Sequence, residues 1–322
     1  MVFSNYPESS KKGRKAPSPM KIISASRRTD IPAFYSDWLM SRIQAGYVNV
    51  MSPFSRKVSH VDLKPENVLA IVFWTKNARP LVKYVPDLKN RGYSMYFLYT
   101  VNNYPKDLEP HTPEISHTLK PIEMISGQFD RQVIRWRYDP LVVTRDFSVD
   151  MCLDNFDFVC SKMKNVTREC IFSPCDYYRK TTSKMLGKGI EFLTPDKDET
   201  LKMSSMMADI ASGHGVSLLS CAHDFLVGNP IAKAKCIDAG FIGNLLRSEE
   251  AINALMNLKI SHSRPGCACV ESTDIGAYDT CLHDCVYCYA TQRTLNRHEE
   301  LLNSVSLGDC LDPRSHKIRA SQ

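Results

Sequence analysis

The sequence predicts an α/β fold, a partial or complete (β/α) barrel of parallel strands, and three observations carry that reading. Apolar, β-branched runs without polar alternation recur along the chain, as suits strands covered on both faces. Each run ends abruptly in polar residues, and helical patterns fill the intervals, so strand and helix alternate about six times. At 322 residues the chain is long enough to bury a substantial core.

Taken in order, residues 1–20 read as a disordered basic tail, because Ser, Pro, Lys and Gly dominate and no apolar period appears. Lys11, Lys12, Arg14 and Lys15 against Glu8 place half of the formal net charge of +6 in that tail. The first strand spans Lys21 to Ser26, after which Thr29 or Asp30 can cap a helix and Pro32 suits its first turn. Phe34, Trp38 and Leu39 share a helical face, and Gly46 is a stop. Val68–Trp74 is a continuous apolar strand running into Thr75, Lys76 and Asn77. Met95–Val101 and Gln132–Arg137 repeat the scheme, with further strands at Glu169–Phe172 and Val216–Ser220. Helices are expected over 195–213, 248–258 and 290–305. The domain therefore covers 21–305, with a cysteine-rich segment over 221–290 and a C-terminal tail over 306–322. Such folds carry their chemistry on loops at the carboxyl ends of the strands, where polar residues collect here.

The longest apolar run, Val68 to Trp74, is far shorter than the about 20 residues of a spanning helix, and no secretory leader is read at the N-terminus. A cytoplasmic protein with no membrane partner is expected, in which twelve cysteines stay reduced. A nucleic-acid partner is not expected, since outside the tail no motif or helical stripe concentrates positive charge. The sequence has no G-x-S-x-G elbow, phosphate loop, dinucleotide fingerprint or H-E-x-x-H pattern. His214, His223 and His283 read as surface or packing residues. Cys152, Cys160, Cys170, Cys175 and Cys310 share no close ligand spacing and read as small hydrophobes.

Chemistry concentrates in Cys281, Cys285 and Cys288, spaced C-x-x-x-C-x-x-C. Cysteine-only ligation suits iron–sulfur clusters, and three thiolates on a [4Fe-4S] cube leave one iron open to an external ligand. A structural zinc is the alternative, with His283 inside the motif. Four further thiols, Cys221, Cys236, Cys267 and Cys269, make a complete ligand shell for zinc or for a second [4Fe-4S] cluster. Arg27, Arg28, Lys76, Arg135 and Arg137 lie near strand ends, where they can hold carboxylate or phosphate groups. Asp30 and Asp139 stand beside them, although a helix cap or a turn role explains each without function.

With Tyr287 before the last thiol, the three-cysteine motif resembles the radical S-adenosylmethionine superfamily. That resemblance implies an open iron that binds the cofactor's methionine and delivers one electron, releasing a 5′-deoxyadenosyl radical that abstracts hydrogen from a substrate. It also implies an electron donor such as flavodoxin or ferredoxin, and a cofactor site formed by Tyr287 and the five basic residues. Because the motif comes last in the chain, a permuted barrel is expected, with the strand at about Ser272–Ala277 beside the strand at Lys21–Ser26. Over most of its length the chain resembles an uncharacterised family, domain of unknown function 1848. The residues that carry this are Ser24-Ala-Ser-Arg-Arg-Thr-Asp-Ile-Pro32, Phe73-Trp-Thr-Lys-Asn77, Arg137-Tyr-Asp-Pro140, and Cys267-x-Cys269 with Ser272 to Ala290. The family is regarded as radical-SAM-like and has no assigned reaction, so the substrate stays open.

Overall fold

The computed structural model describes residues 20–261, 264–291 and 308–311. The predicted helix over 290–305 and both tails fall outside these residues, except for a few positions. Strand β1 (Lys21–Ala25) leads through Asp30 into α1 (Ile31–Phe34) and α2 (Ser36–Ala45). Asp30 Oδ1 accepts the Ala33 amide at 2.9 Å, and Pro32 lies in the first turn. Gly46 ends α2 at φ 76°, the left-handed conformation that glycine adopts freely. A hairpin of β2 (Tyr47–Met51) and β3 (Val58–Asp62) follows, which the sequence reading does not include.

The alternation then proceeds through β4 (Val68–Thr75), α3 (Val85–Asn90), β5 (Met95–Thr100), α4 (Ile115–Ser126) and β6 (Ile134–Leu141). Next come β7 (Val143–Thr144), α5 (Val149–Met163), β8 (Glu169–Pro174), α6 (Arg179–Gly187), β9 (Phe192–Leu193) and α7 (Lys197–Gly213). The chain closes with β10 (Ser217–Ser220), β11 (Ala232–Lys233), α8 (Ala239–Gly243), α9 (Glu249–Met256) and β12 (Thr273–Asp274). Strand β6 runs four residues beyond its predicted end, because the ladder to β8 resumes at Leu141 after an irregularity that takes up Pro140, which has no N–H to give. No helix of the described residues is long and apolar enough to cross a membrane.

Eight strands form one sheet in the order β11-β10-β8-β6-β5-β4-β1-β12, every pairing parallel. The last strand in sequence thus lies beside the first, with Ile23 opposite Thr273 and Ser24 opposite Asp274. Strands β11 and β12 are the two edges, so the described sheet is consistent with a partial barrel.

Register sorts the two faces. Ser24, Val72 and Tyr96 are neighbours across the sheet, as are Leu98 with Trp74 and Arg135, and Thr100 with Arg137. Since alternate residues share a face, Ser24, Trp74, Arg135, Arg137 and Asp274 all project to the inner side. The outer side carries Phe73 stacked on Phe97 at 5.0 Å and Trp136 stacked on Phe156 of α5 at 5.7 Å. The outer face is the apolar core under the helices, and the inner face is where charge is kept. Beyond β11 the chain folds back against the inner side, where Tyr96 donates to the Cys236 carbonyl at 2.6 Å and Arg135 to that of Lys235 at 2.6 Å.

Candidate functional site

Two sequence motifs about 250 positions apart lock together at the carboxyl ends of β1 and β12. Asp274 accepts from Ser26 Oγ at 2.6 Å, the Arg27 amide at 2.8 Å, Arg28 Nε at 3.0 Å and the Gly276 amide at 3.0 Å. Gly276 is required there, because a Cβ on it would lie 2.1 Å from Ser26 Oγ and 2.5 Å from Ser26 Cβ. One carboxylate thereby holds the start of the Ser-Arg-Arg segment against the strand that feeds the cysteine loop.

That loop, residues 281–288, is anchored on three sides. Tyr35 donates to the Thr280 carbonyl at 2.6 Å, and His283, 2% exposed, bonds Asp30 Oδ2 at 2.8 Å. Asp284 takes φ 51° and receives Lys184 at 2.8 Å and Lys188 at 3.2 Å, tying the loop to α6 and the residue after it. On the third side the Val286 amide donates to the Leu108 carbonyl at 3.0 Å, and Tyr287 donates to Glu109 in a very short hydrogen bond. Glu109 also receives Lys76 Nζ at 2.8 Å and Asn102 Nδ2 at 2.9 Å. Burial alone would push this carboxyl up, but the Lys76 charge and three side-chain hydrogen bonds outweigh it and hold Glu109 below the ordinary range.

Cys281, Cys285 and Cys288 are electrostatic neighbours of one another within this loop. Burial, with Asp30 and Cys288 adding to it, pushes the Cys281 thiol up to about 12. Burial raises Cys285 as well, against the opposing pull of Lys76. Cys175, at the end of β8, is a further neighbour of Cys288 that its isolated spacing did not reveal.

The other four predicted thiols meet. Cys221 Sγ stands 3.8 Å from Cys236 Sγ, Cys236 contacts Cys269, and Cys269 contacts Cys267. The Ile237 amide donates to Cys269 Sγ at 3.3 Å and Arg264 Nη2 to Cys221 Sγ at 3.3 Å. These contacts run as a chain, and among the described residues no group of three or more His, Cys, Asp or Glu side chains is gathered round one point so as to hold an ion. The contact with Cys236, then burial, pushes the Cys221 thiol far above its ordinary value.

The basic residues named from the sequence divide. Arg135 lies toward the amino ends of the strands and pairs with Glu169 at 2.5 Å, Arg28 pairs with Asp274, and Lys76 with Glu109. Arg27 and Arg137 instead lie over the Trp74 ring, their guanidinium carbons 5.4 and 5.0 Å from its centroid. Arg137 is also paired with Asp139, which Ser173 contacts. Glu109, Asn102, Trp74, Asp274 and Arg264 were missed in the sequence reading. None has a diagnostic spacing, although Trp74 and Asp274 lie inside quoted motifs. His283 is a buried packing residue, as read, while His214 bonds Asp157 at 2.7 Å near the surface.

No curated protein matches the chain. Among solved structures that match is a crystal structure from Bacteroides thetaiotaomicron described as an alpha-L-fucosidase, 12% identical, covering 85% of this chain and 93% of its own, with a TM-score of 0.32. That likeness is too low to carry an argument about fold or activity. The family model described as Domain of unknown function (DUF1848) matches residues 22–290, which spans the clamp, the inner-face arginines and both thiol sets, and the chain belongs to that family.

Proposed function

We propose that the protein is an iron–sulfur enzyme of the radical S-adenosylmethionine type, acting on a substrate held at the carboxyl ends of the strands. The observation that carries the reading is the loop 281–288, where three thiols that are electrostatic neighbours lie beside the joined first and last strands. Thiols serving separate irons of a cube need not converge on one point, as thiols around a single ion must. Cys281, Cys285 and Cys288 would hold a [4Fe-4S] cluster, and a cluster there would supply one electron to the sulfonium of bound S-adenosylmethionine. Lys76 sets a positive charge beside Cys285, favouring its thiolate. Glu109, Tyr287 and Asn102 fix the loop's inner side, and His283 with Asp30 fixes the opposite one. Anaerobic reconstitution followed by dithionite and S-adenosylmethionine is expected to release 5′-deoxyadenosine. No release from protein carrying an intact cluster would overturn the proposal.

A second reading, a non-catalytic metal protein that binds a small ligand or partner, draws on the other thiols. Four sulfurs at about 2.3 Å from one zinc stand about 3.8 Å apart along a tetrahedral edge, and Cys221 and Cys236 are separated by 3.8 Å. That one edge matches a zinc shell, and the four thiols, which run as a chain in this structure, would have to close round the ion to complete it. Metal analysis divides the readings: iron with sulfide supports the enzyme, and zinc alone at both sets supports the second.

A further inference from the structure

Three buried donors on the inner face have no acceptor among the described residues: Trp74 Nε1, Arg27 Nε and Arg137 Nε. Such groups are rare, because each gives up water without replacement. They are also neighbours, since both guanidinium groups lie over the Trp74 ring. The other two tryptophans are satisfied, Trp38 by the Gly308 carbonyl at 2.8 Å and Trp136 by that of Val101 at 3.0 Å. Trp74 is thus the exception.

The charge around the indole is unbalanced. Arg137 has Asp139 as its carboxylate, whereas Arg27 forms no ion pair among the described residues and reaches only the Ser272 hydroxyl, at 3.2 Å. An indole N–H and two guanidinium groups can only donate. A cationic ligand would be repelled, and a neutral one would leave the charge of Arg27 unmatched. What fits is an anion with at least two acceptor oxygens.

We infer that Arg27, Arg137 and Trp74 bind an anionic group, carboxylate or phosphate, of the substrate. This deepens the enzyme proposal by naming a substrate class, and it rests only on the strand ends being the ligand-binding end, not on any metal. Arg137 has Cys221, Cys236 and Tyr289 as electrostatic neighbours, which places the group on the side of the second thiol set.

The test is a titration of the full-length protein as isolated, with inorganic phosphate and separately with acetate, at ionic strength fixed by chloride. Tryptophan emission and melting temperature are both followed. At least one anion is expected to give a saturable emission change and to raise the melting temperature. Arg27→Gln, which keeps the reporter, should weaken binding about tenfold, the loss of one charged hydrogen-bonding partner, and Arg27→Lys less. Trp74→Phe should abolish the emission change and reduce the thermal effect. The more effective anion identifies the group. No saturable response to either anion, or a response unchanged in Arg27→Gln and in Trp74→Phe, would overturn the inference. Displacement of the bound anion by S-adenosylmethionine would assign the site to the cofactor and equally overturn it. Anion binding by protein that, with its cluster intact, releases no 5′-deoxyadenosine would sink the radical proposal and leave this one standing.

Discussion

Glu109 is the residue on which the cysteine loop depends most directly. It is 3% exposed and holds Lys76, Asn102 and Tyr287 together. Removing one partner of a buried ion pair leaves the other charge unmatched, at a cost of about 3–5 kcal/mol. Glu109→Gln should therefore destabilise the fold by that order, measured by urea unfolding near neutral pH. The pH dependence has a definite sign. Because the folded-state carboxyl lies below its unfolded value, its contribution is complete above about pH 4.3 and is lost as pH falls through the lower folded value. The wild type should lose stability below about pH 4.3 more steeply than Glu109→Gln, and parallel curves would show that this carboxylate is not the source. Gly276 offers a steric counterpart. With a Cβ at 2.1 Å from Ser26 Oγ, Gly276→Ala must displace the clamp, and a loss of about 1–3 kcal/mol is expected in the same assay. An unchanged midpoint would mean that the two segments are not in contact.

At the scale of elements, β12 is too short to hold itself in place by its two residues of ladder. Asp274 compensates, since it gathers two hydroxyls, two amides and Arg28 from β1, from the segment after it and from its own turn. Asp274→Ala should thus release β12 and the loop behind it without melting the sheet. Hydrogen exchange is expected to rise over 272–290 while β4, β5 and β6 stay protected. A uniform rise would mean global destabilisation, and no rise would mean that the ladder alone suffices. The same contrast explains what could be read in advance. The strands at Val68 and Met95 were legible because both faces are buried, so apolar runs are unbroken, and the helix ending at Gly213 was legible as a helical pattern, to which the structure adds a cap where Asp196 and Glu199 bond reciprocally. The hairpin 47–62 was not, because His60 and Ser59 leave its second strand exposed and without an apolar run. The thiols were legible as compact spacings. Glu109 and Asp274 were not, since their importance comes from partners brought near only by the fold.

For the whole molecule, the described sheet is open between β11 and β12, and the second thiol set bridges that gap. Cys221 follows β10, Cys236 follows β11, and Cys267 and Cys269 precede β12. The Val270 amide already donates to the Ile237 carbonyl at 3.0 Å across the same gap. Gly266 lets the two sides approach, since its φ is 69° and a Cβ on it would lie 2.3 Å from the Ala222 carbonyl oxygen. A metal held by these four sulfurs would tie the two edges where no strand pairing does. The contact with Cys236, then burial, raises the Cys221 thiol without it, so loading must expel protons as well as add stability. Adding zinc to chelator-treated protein at pH 7.5 is expected to release protons toward one per thiol, read with an indicator in weak buffer. It should also raise Tm by about 5 °C or more, the shift that a few kcal/mol of linked binding gives a domain of this size. The paired change Cys221→Ser and Cys269→Ser should remove both effects while leaving iron at Cys281, Cys285 and Cys288 intact. Zinc uptake with no proton release, or with Tm unmoved, would mean that the four sulfurs are packing residues and that the open edge is held by hydrogen bonds alone.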